Sequence, residues 1–211
     1  MTIVADVKSI VFTNQVWDIP YIAKASTSEY VDLKTQPERI DEIPELGDEA
    51  ALKPLLQLLN GSGGQFITHA CAVAARPPGV LGSTVISVPP ESWNAPHWYT
   101  SYVGFSFWCF DENRQEHYES IYESFPDVEN GSICFEMQPV YFLTPDEQRR
   151  GMKWSKSNGI GCVLWTSGWG DNAEEARGRW FDSIRGSRTF FASLKPYDSR
   201  RGRTVSQHMF S

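Results

Sequence analysis

Apolar and polar positions along the chain fall into several short alternating runs and a few segments of helical period. Over 159–167, Ile160, Cys162, Leu164 and Thr166 alternate with Gly161, Val163, Trp165 and Ser167. Both sets are largely apolar, which predicts a strand covered on both faces. Gly168, Trp169 and Gly170 follow and read as a turn, where glycine permits positive φ or close backbone approach. Asp171 or Asn172 can then cap a helix whose first turn carries Glu174 and Glu175, placed where the helix dipole favours negative charge. Ala173, Ala176, Trp180 and Ile184 recur on one face of that helix. Glu175 stands four residues before Arg179, a pair worth roughly 0.2–0.5 kcal/mol. The stretch 158–184 is thus a strand, turn and helix against which the remaining elements are laid.

The same reading extends to the rest of the chain. A first strand is expected over 3–12 and a turn over 14–20. The segment 21–47 is polar, acidic and weakly periodic, and reads as a long loop or excursion, the candidate for a flexible arm. Leu52, Leu55, Leu56 and Leu59 keep the spacing of a buried helical stripe. Pro54 is welcome there only in the first turn, so this helix starts near Lys53 or kinks, with Asp48 as a plausible cap. The glycine run after Asn60 ends it. Strand-like runs follow over 65–75, 80–88, 97–110 and 132–143. A surface helix over 112–125 would turn Tyr118, Ile121, Tyr122 and Phe125 inward, and Thr144 with Pro145 and Glu147 would start a short one. A last strand is expected over 188–194. The sum is an α+β fold: a mainly antiparallel sheet of about five to seven strands with two to four helices packed on it. One domain would span 1–195, with a basic, flexible C-terminal tail over 196–211.

Composition narrows the class. The chain has 211 residues, 41% hydrophobic and 21% charged, within the globular range. No run approaches the roughly 18 apolar residues of a membrane span, and the start lacks the basic region of a signal peptide. The expectation is a cytoplasmic protein. Cys71, Cys109, Cys134 and Cys162 each sit in an apolar, strand-like segment with no metal or redox spacing. Reduced core cysteines are the simpler reading, and two disulfides in an exported protein the other.

Charge adds a second layer. The net charge is −7, and it is carried in blocks. Over 29–49 stand eight acidic residues against two basic, among them Glu38, Asp41, Glu42, Glu45, Asp48 and Glu49. Over 111–129 stand seven against one, beginning with Asp111, Glu112 and Glu116. Over 177–203 the balance reverses, eight basic against two acidic. Such blocks are either solvated faces, or faces that pair with one another, or an acidic surface that steers a basic partner. The overall sign argues against non-specific nucleic-acid binding.

Motifs for chemistry are weak. The glycines from Gly61 to Gly64 follow a helix and precede a strand, the reverse of a phosphate loop. His69, His97, His117 and His208 have no metal-ligand spacing. Ser167 sits near glycines, but a nucleophile elbow needs glycine two residues to either side, and Trp165 and Trp169 occupy those places. No metal, cofactor or catalytic residue is therefore expected. The leading expectation is a non-enzymatic binding protein that presents its acidic segments to a basic protein partner, in the manner of an immunity or antitoxin-type inhibitor. The alternative is a small-ligand protein or enzyme: the eight tryptophans either fill a core large enough to need them or line a concave site where rings stack on a base, sugar or apolar ligand. Its aromatic-lined pocket would lie near Trp93, His97, Trp98, Trp165 and Trp169, with His97 as the natural acid or base.

Overall fold

The computed structural model describes residues 2–4, 8–14, 16–19, 31–46, 50–75, 85–87, 92, 94–128, 130–143 and 157–195. Eight strands and three α-helices occur among them in the order β1 (Thr2–Val4), β2 (Lys8–Phe12), β3 (Trp17–Ile19), α1 (Lys53–Asn60), β4 (Phe66–Ala74), β5 (Val85–Ser87), β6 (His97–Phe107), α2 (Gln115–Ser124), β7 (Ser132–Phe142), β8 (Gly159–Gly170) and α3 (Ala173–Ser193). The main sheet is five positions wide, in the order β2-β7-β8-β6-β4, and β3 joins β7 further along the same edge as β2. β1 and β5 form a separate parallel pair.

The fold is α+β as expected, but the sheet is mixed rather than mainly antiparallel. β7, β8, β6 and β4 alternate in direction, whereas β2 and β3 both run parallel to β7. No hairpin ties β2 or β3 to β7, since more than a hundred residues separate them, and an antiparallel direction was never enforced. The strand expected over 3–12 is two strands in different sheets, and the turn expected over 14–20 contains β3.

One face of the main sheet is covered by helices. Ile133, Phe135 and Met137 of β7, Cys162 and Leu164 of β8, Val103 and Phe105 of β6, and Phe66 of β4 form one core with Trp180, Ile184, Phe190 and Phe191 of α3. The α1 leucines and Tyr118, Ile121 and Phe125 at α2 close its sides. α3 is fixed at its start by reciprocal caps. Asn172 Oδ1 accepts from Glu175 N at 2.9 Å, and Glu175 Oε2 accepts from Asp171 N at 2.9 Å. Ala173, placed inward by periodicity, is exposed in this first turn, while Ala176, Trp180 and Ile184 are buried.

Two expectations fail at this unit. Gly168, Trp169 and Gly170 are the end of β8, not a turn. Glycine is required at 168 because a Cβ would collide with the Trp180 nitrogen and the Ala176 carbonyl oxygen. The strand expected over 188–194 is instead the end of α3, because Ile184, Ser187 and Phe191 continue the inward spacing set by Ala176 and Trp180.

α1 begins at Lys53 with its proline in the first turn, and its N-cap is Leu52, not Asp48. Residues 31–46 are bent through 3₁₀ turns at Pro37–Glu42 and Pro44–Leu46, with Leu33, Ile40 and Leu46 buried. Lys34 Nζ donates to the carbonyls of Gly61, Gly64 and Phe66 at 3.1, 2.7 and 3.0 Å, beside the end of α1. This part of the acidic excursion is anchored to the core and is not a loose arm. The short helix expected at Thr144 and the C-terminal tail lie outside the described residues. Among the described residues, no helix is long and apolar enough to cross a membrane.

Trp180 is fully buried, stacks on Tyr99 at 4.8 Å and donates its indole N–H to Ser101 Oγ at 2.9 Å. Trp180→Ala is expected to lower the unfolding free energy by about 3–5 kcal/mol in urea titrations. An unchanged midpoint would contradict this packing.

Candidate functional site

The acidic surface is built by two local structures. α2 turns Tyr118 and Ile121 inward, so Glu116, Glu119 and Glu123 line its other side, with Glu112 one turn before them. Asp111 and Glu116 are exposed, and Glu112 lies 2.8 Å from His117 Nδ1. In the 37–46 segment Glu38 and Glu45 are exposed, Asp41 is salt-bridged to Lys53, and Glu42 pairs with Arg39 at 2.8 Å. Asp48 and Glu49 lie outside the described residues.

These pairs join residues of one segment or of adjacent segments. On α3, Arg179 pairs with Glu175 and Arg185 with Asp182, each within one turn. None of these pairs joins an acidic block to the basic one. Exposed pairs of this kind contribute about 0–1 kcal/mol each and do not organise the fold.

The second region is the sheet face turned away from α3. Trp98 and Trp169 oppose each other across β6 and β8 with ring centroids 5.8 Å apart. Trp165, on the same face, stacks on Tyr102 at 5.0 Å. His97 alternates to the other face from Trp98 and is exposed at the strand end, so it does not join these rings. Trp93 lies outside the described residues.

Polar groups that the spacing did not single out share this face. Glu136 and Gln138 of β7 are buried, and Glu136 Oε2 accepts the Trp165 indole N–H at 2.7 Å. In the sequence they alternate with Ile133, Phe135 and Met137, the pattern of a strand with one solvated face. The signal against that was next door: β8 is apolar on both faces, so its neighbour's polar row must be covered too. Buried His69 sits at a register shift in β4, and its Nε2 lies 2.8 Å from Ser106 Oγ on β6. Burial holds the imidazole down at about 3, so it is neutral.

Neither region holds an activated nucleophile. The His69–Ser106 pair lacks a carboxylate on Nδ1, which has no hydrogen-bond partner, and Ser106 is fully buried. The four cysteines are buried and free. Burial pushes Cys71 and Cys134 up to about 12 and Cys162 well above its usual range, which keeps these thiols protonated and inert. Among the described residues no cluster of three or more His, Cys, Asp or Glu could hold a metal. A cavity of about 430 Å³ opens between the Gly61 to Gly64 turn and the end of α3, lined by Leu58, Phe191, Leu194 and Lys195. Its glycine turn gives carbonyl oxygens to Lys34, the opposite polarity from a phosphate cradle.

His69 links this face to acid stability. Its unfolded pKa is near 6.5 and its folded value about 3, so between these the unfolded chain binds a proton that the folded one does not. The contribution is complete above pH 6.5 and is lost as pH falls toward 3, at about 1.4 kcal/mol per unit. Urea midpoints at pH 7.5, 6 and 5 are expected to fall more steeply for the parent than for His69→Gln, and equal slopes would refute the burial of a neutral imidazole. No protein-family model, no curated protein and no solved structure matches the chain.

Proposed function

We propose that the protein binds a basic protein partner through the acidic surface carried by α2 and the 37–46 segment, in the manner of an immunity or antitoxin-type inhibitor. The observation that carries this reading is the row Glu116, Glu119 and Glu123, spaced by three and four residues along α2, with Glu112 in the turn before the helix. Like charges one turn apart cost a helix about 0.2–0.5 kcal/mol per pair, and nothing in the packing of α2 requires them. The inward residues alone seat the helix. A charge row kept against its own repulsion is accounted for by a partner of opposite sign, where it raises the association rate and rejects acidic competitors.

Two further features support the reading. The 37–46 segment is held by Leu33, Ile40, Leu46 and Lys34, so Glu38 and Glu45 project from an ordered backbone. Preorganised groups lose less entropy on binding than groups on a loose arm. Arg179 and Arg185 of α3 are paired within their own helix and not with the acidic blocks.

The test is affinity capture with the full chain as bait, comparing the parent with a Glu116→Gln, Glu119→Gln, Glu123→Gln variant. The parent is expected to retain a stoichiometric basic protein at low salt and release it at moderate salt. The variant should keep or raise the melting temperature, because repulsion is relieved, and bind that protein at least tenfold more weakly. Unchanged affinity at low salt would overturn the proposal.

A further inference from the structure

α3 carries a second surface that its own packing does not use. At 3.6 residues per turn, Glu174, Arg177, Phe181, Arg185 and Arg188 fall within about 40° of one line along the helix. All five are exposed, on the side opposite Ala176, Trp180, Ile184 and Phe191. Phe181 sits at the middle of this ridge and is 44% exposed, one of two large apolar side chains so exposed among the described residues. Gly178, beside it, is also exposed, and a Cβ there would meet nothing within 4 Å. No contact of the fold requires that glycine, although glycine in a helix interior costs about 0.5–1 kcal/mol relative to alanine.

The charges on the ridge are placed symmetrically about Phe181. Glu174 stands seven residues before it and Arg188 seven after, about 10 Å to either side. Neither forms an ion pair with another described residue. A second α3 laid on the first end for end about Phe181 therefore sets Glu174 against Arg188 and Arg188 against Glu174. A parallel partner would set each charge against its own kind. Arg177 and Arg185 lie about 40° to opposite sides of Phe181, and a two-fold axis between the helices keeps each on its own side, so they pass without meeting. Arg185 is also neutralised by Asp182 at 2.7 Å. Gly178 lies on the Arg185 side of the ridge and leaves room for the stem of that side chain from the facing copy.

We propose that this face of α3 is the interface of a homodimer, in which a second copy packs its own α3 antiparallel on the first about a two-fold axis at Phe181. Such an interface is isologous, so each contact is made twice. The two Phe181 rings cover one another, and a Glu174–Arg188 pair closes each end. Antiparallel packing also sets the helix dipoles against each other with favourable sign. The proposal does not rest on the acidic surface, since no residue of α2 or of the 37–46 segment belongs to it.

The test is sedimentation equilibrium of the full chain at low salt, from micromolar to near-millimolar concentration. The parent is expected to move from 23.9 kDa toward twice that mass as concentration rises. Phe181→Glu should raise the dimer dissociation constant at least tenfold and leave the melting temperature of the dilute protein nearly unchanged, because the side chain is exposed. Glu174→Arg and Arg188→Glu should each raise the constant about fivefold, as reversal of two exposed pairs does. The double variant should recover the parent affinity, because the pair is restored with opposite sign. The Glu116→Gln, Glu119→Gln, Glu123→Gln variant should dimerise as the parent does. A monomer at every concentration would overturn the proposal. So would a dimer that Phe181→Glu leaves intact, that the double charge reversal fails to restore, or that the α2 variant abolishes.

Discussion

α3 lies directly on the backbone of β8, and much else follows from it. At Gly168 the strand has no side chain because the helix backbone around Ala176 and Trp180 occupies that space. This contact sets the height of α3 above the sheet. Trp180 can then reach Tyr99 and Ser101 on β6, and Ile184 and Phe191 meet the strands further along. Gly131, with φ +85°, serves the same contact from β7's turn, where a Cβ would strike Ser167 O. Small hydroxyls complete the seat: Ser183 and Ser187 are buried and return their hydrogen bonds to carbonyls of their own helix.

Because α3, α1 and α2 take one sheet face, stability and specificity are divided between the two faces. The helical side holds the apolar clusters and two closed polar networks, around Asn60 and Asn113. The other side mixes Trp98, Trp165 and Trp169 with Glu136, Gln138 and His69. A sheet that only needed covering would use aliphatic residues on both sides. Burying a polar group without a partner costs about 1–3 kcal/mol, and one face carries these costs while the other carries almost none. Asymmetry of this kind is expected where a face does something other than hold the chain together.

Much of the fold was legible in the sequence where period and chemistry agreed. β8, β6 and β7 were legible from alternation, α2 from its inward aromatics, and the cap of α3 from Asn172 and the glutamates after it. The errors came from tertiary facts that no local pattern carries. A glycine pair beside a tryptophan resembles a turn, yet Gly168 is glycine because a helix lies on it. Phe190 and Phe191 resemble a strand end until Trp180 fixes which helical face is inward. The direction of β2 along β7 is set across more than a hundred residues. For the site, His97 was singled out for its titration range and proximity to Trp98 in sequence, but strand alternation parts them. Glu136 and Gln138 were visible only as a polar row, and their burial depends on β8 beside them.

Electrostatics is the layer on which the proposed function rests. The acidic residues of α2 lie on the side away from the core, the 37–46 glutamates project from an anchored segment, and Arg179 and Arg185 of α3 pair within their own helix. Asp41, Glu42 and Glu112 are ion-paired locally, while Glu38, Glu45, Asp111, Glu116 and Glu123 are exposed. The most direct test is the association rate constant between the full chain and a basic protein retained in the affinity capture proposed above, measured across ionic strength. The account predicts a rate that falls steeply as salt rises, with the dissociation rate nearly constant, as charge steering requires. An association rate independent of salt would contradict it.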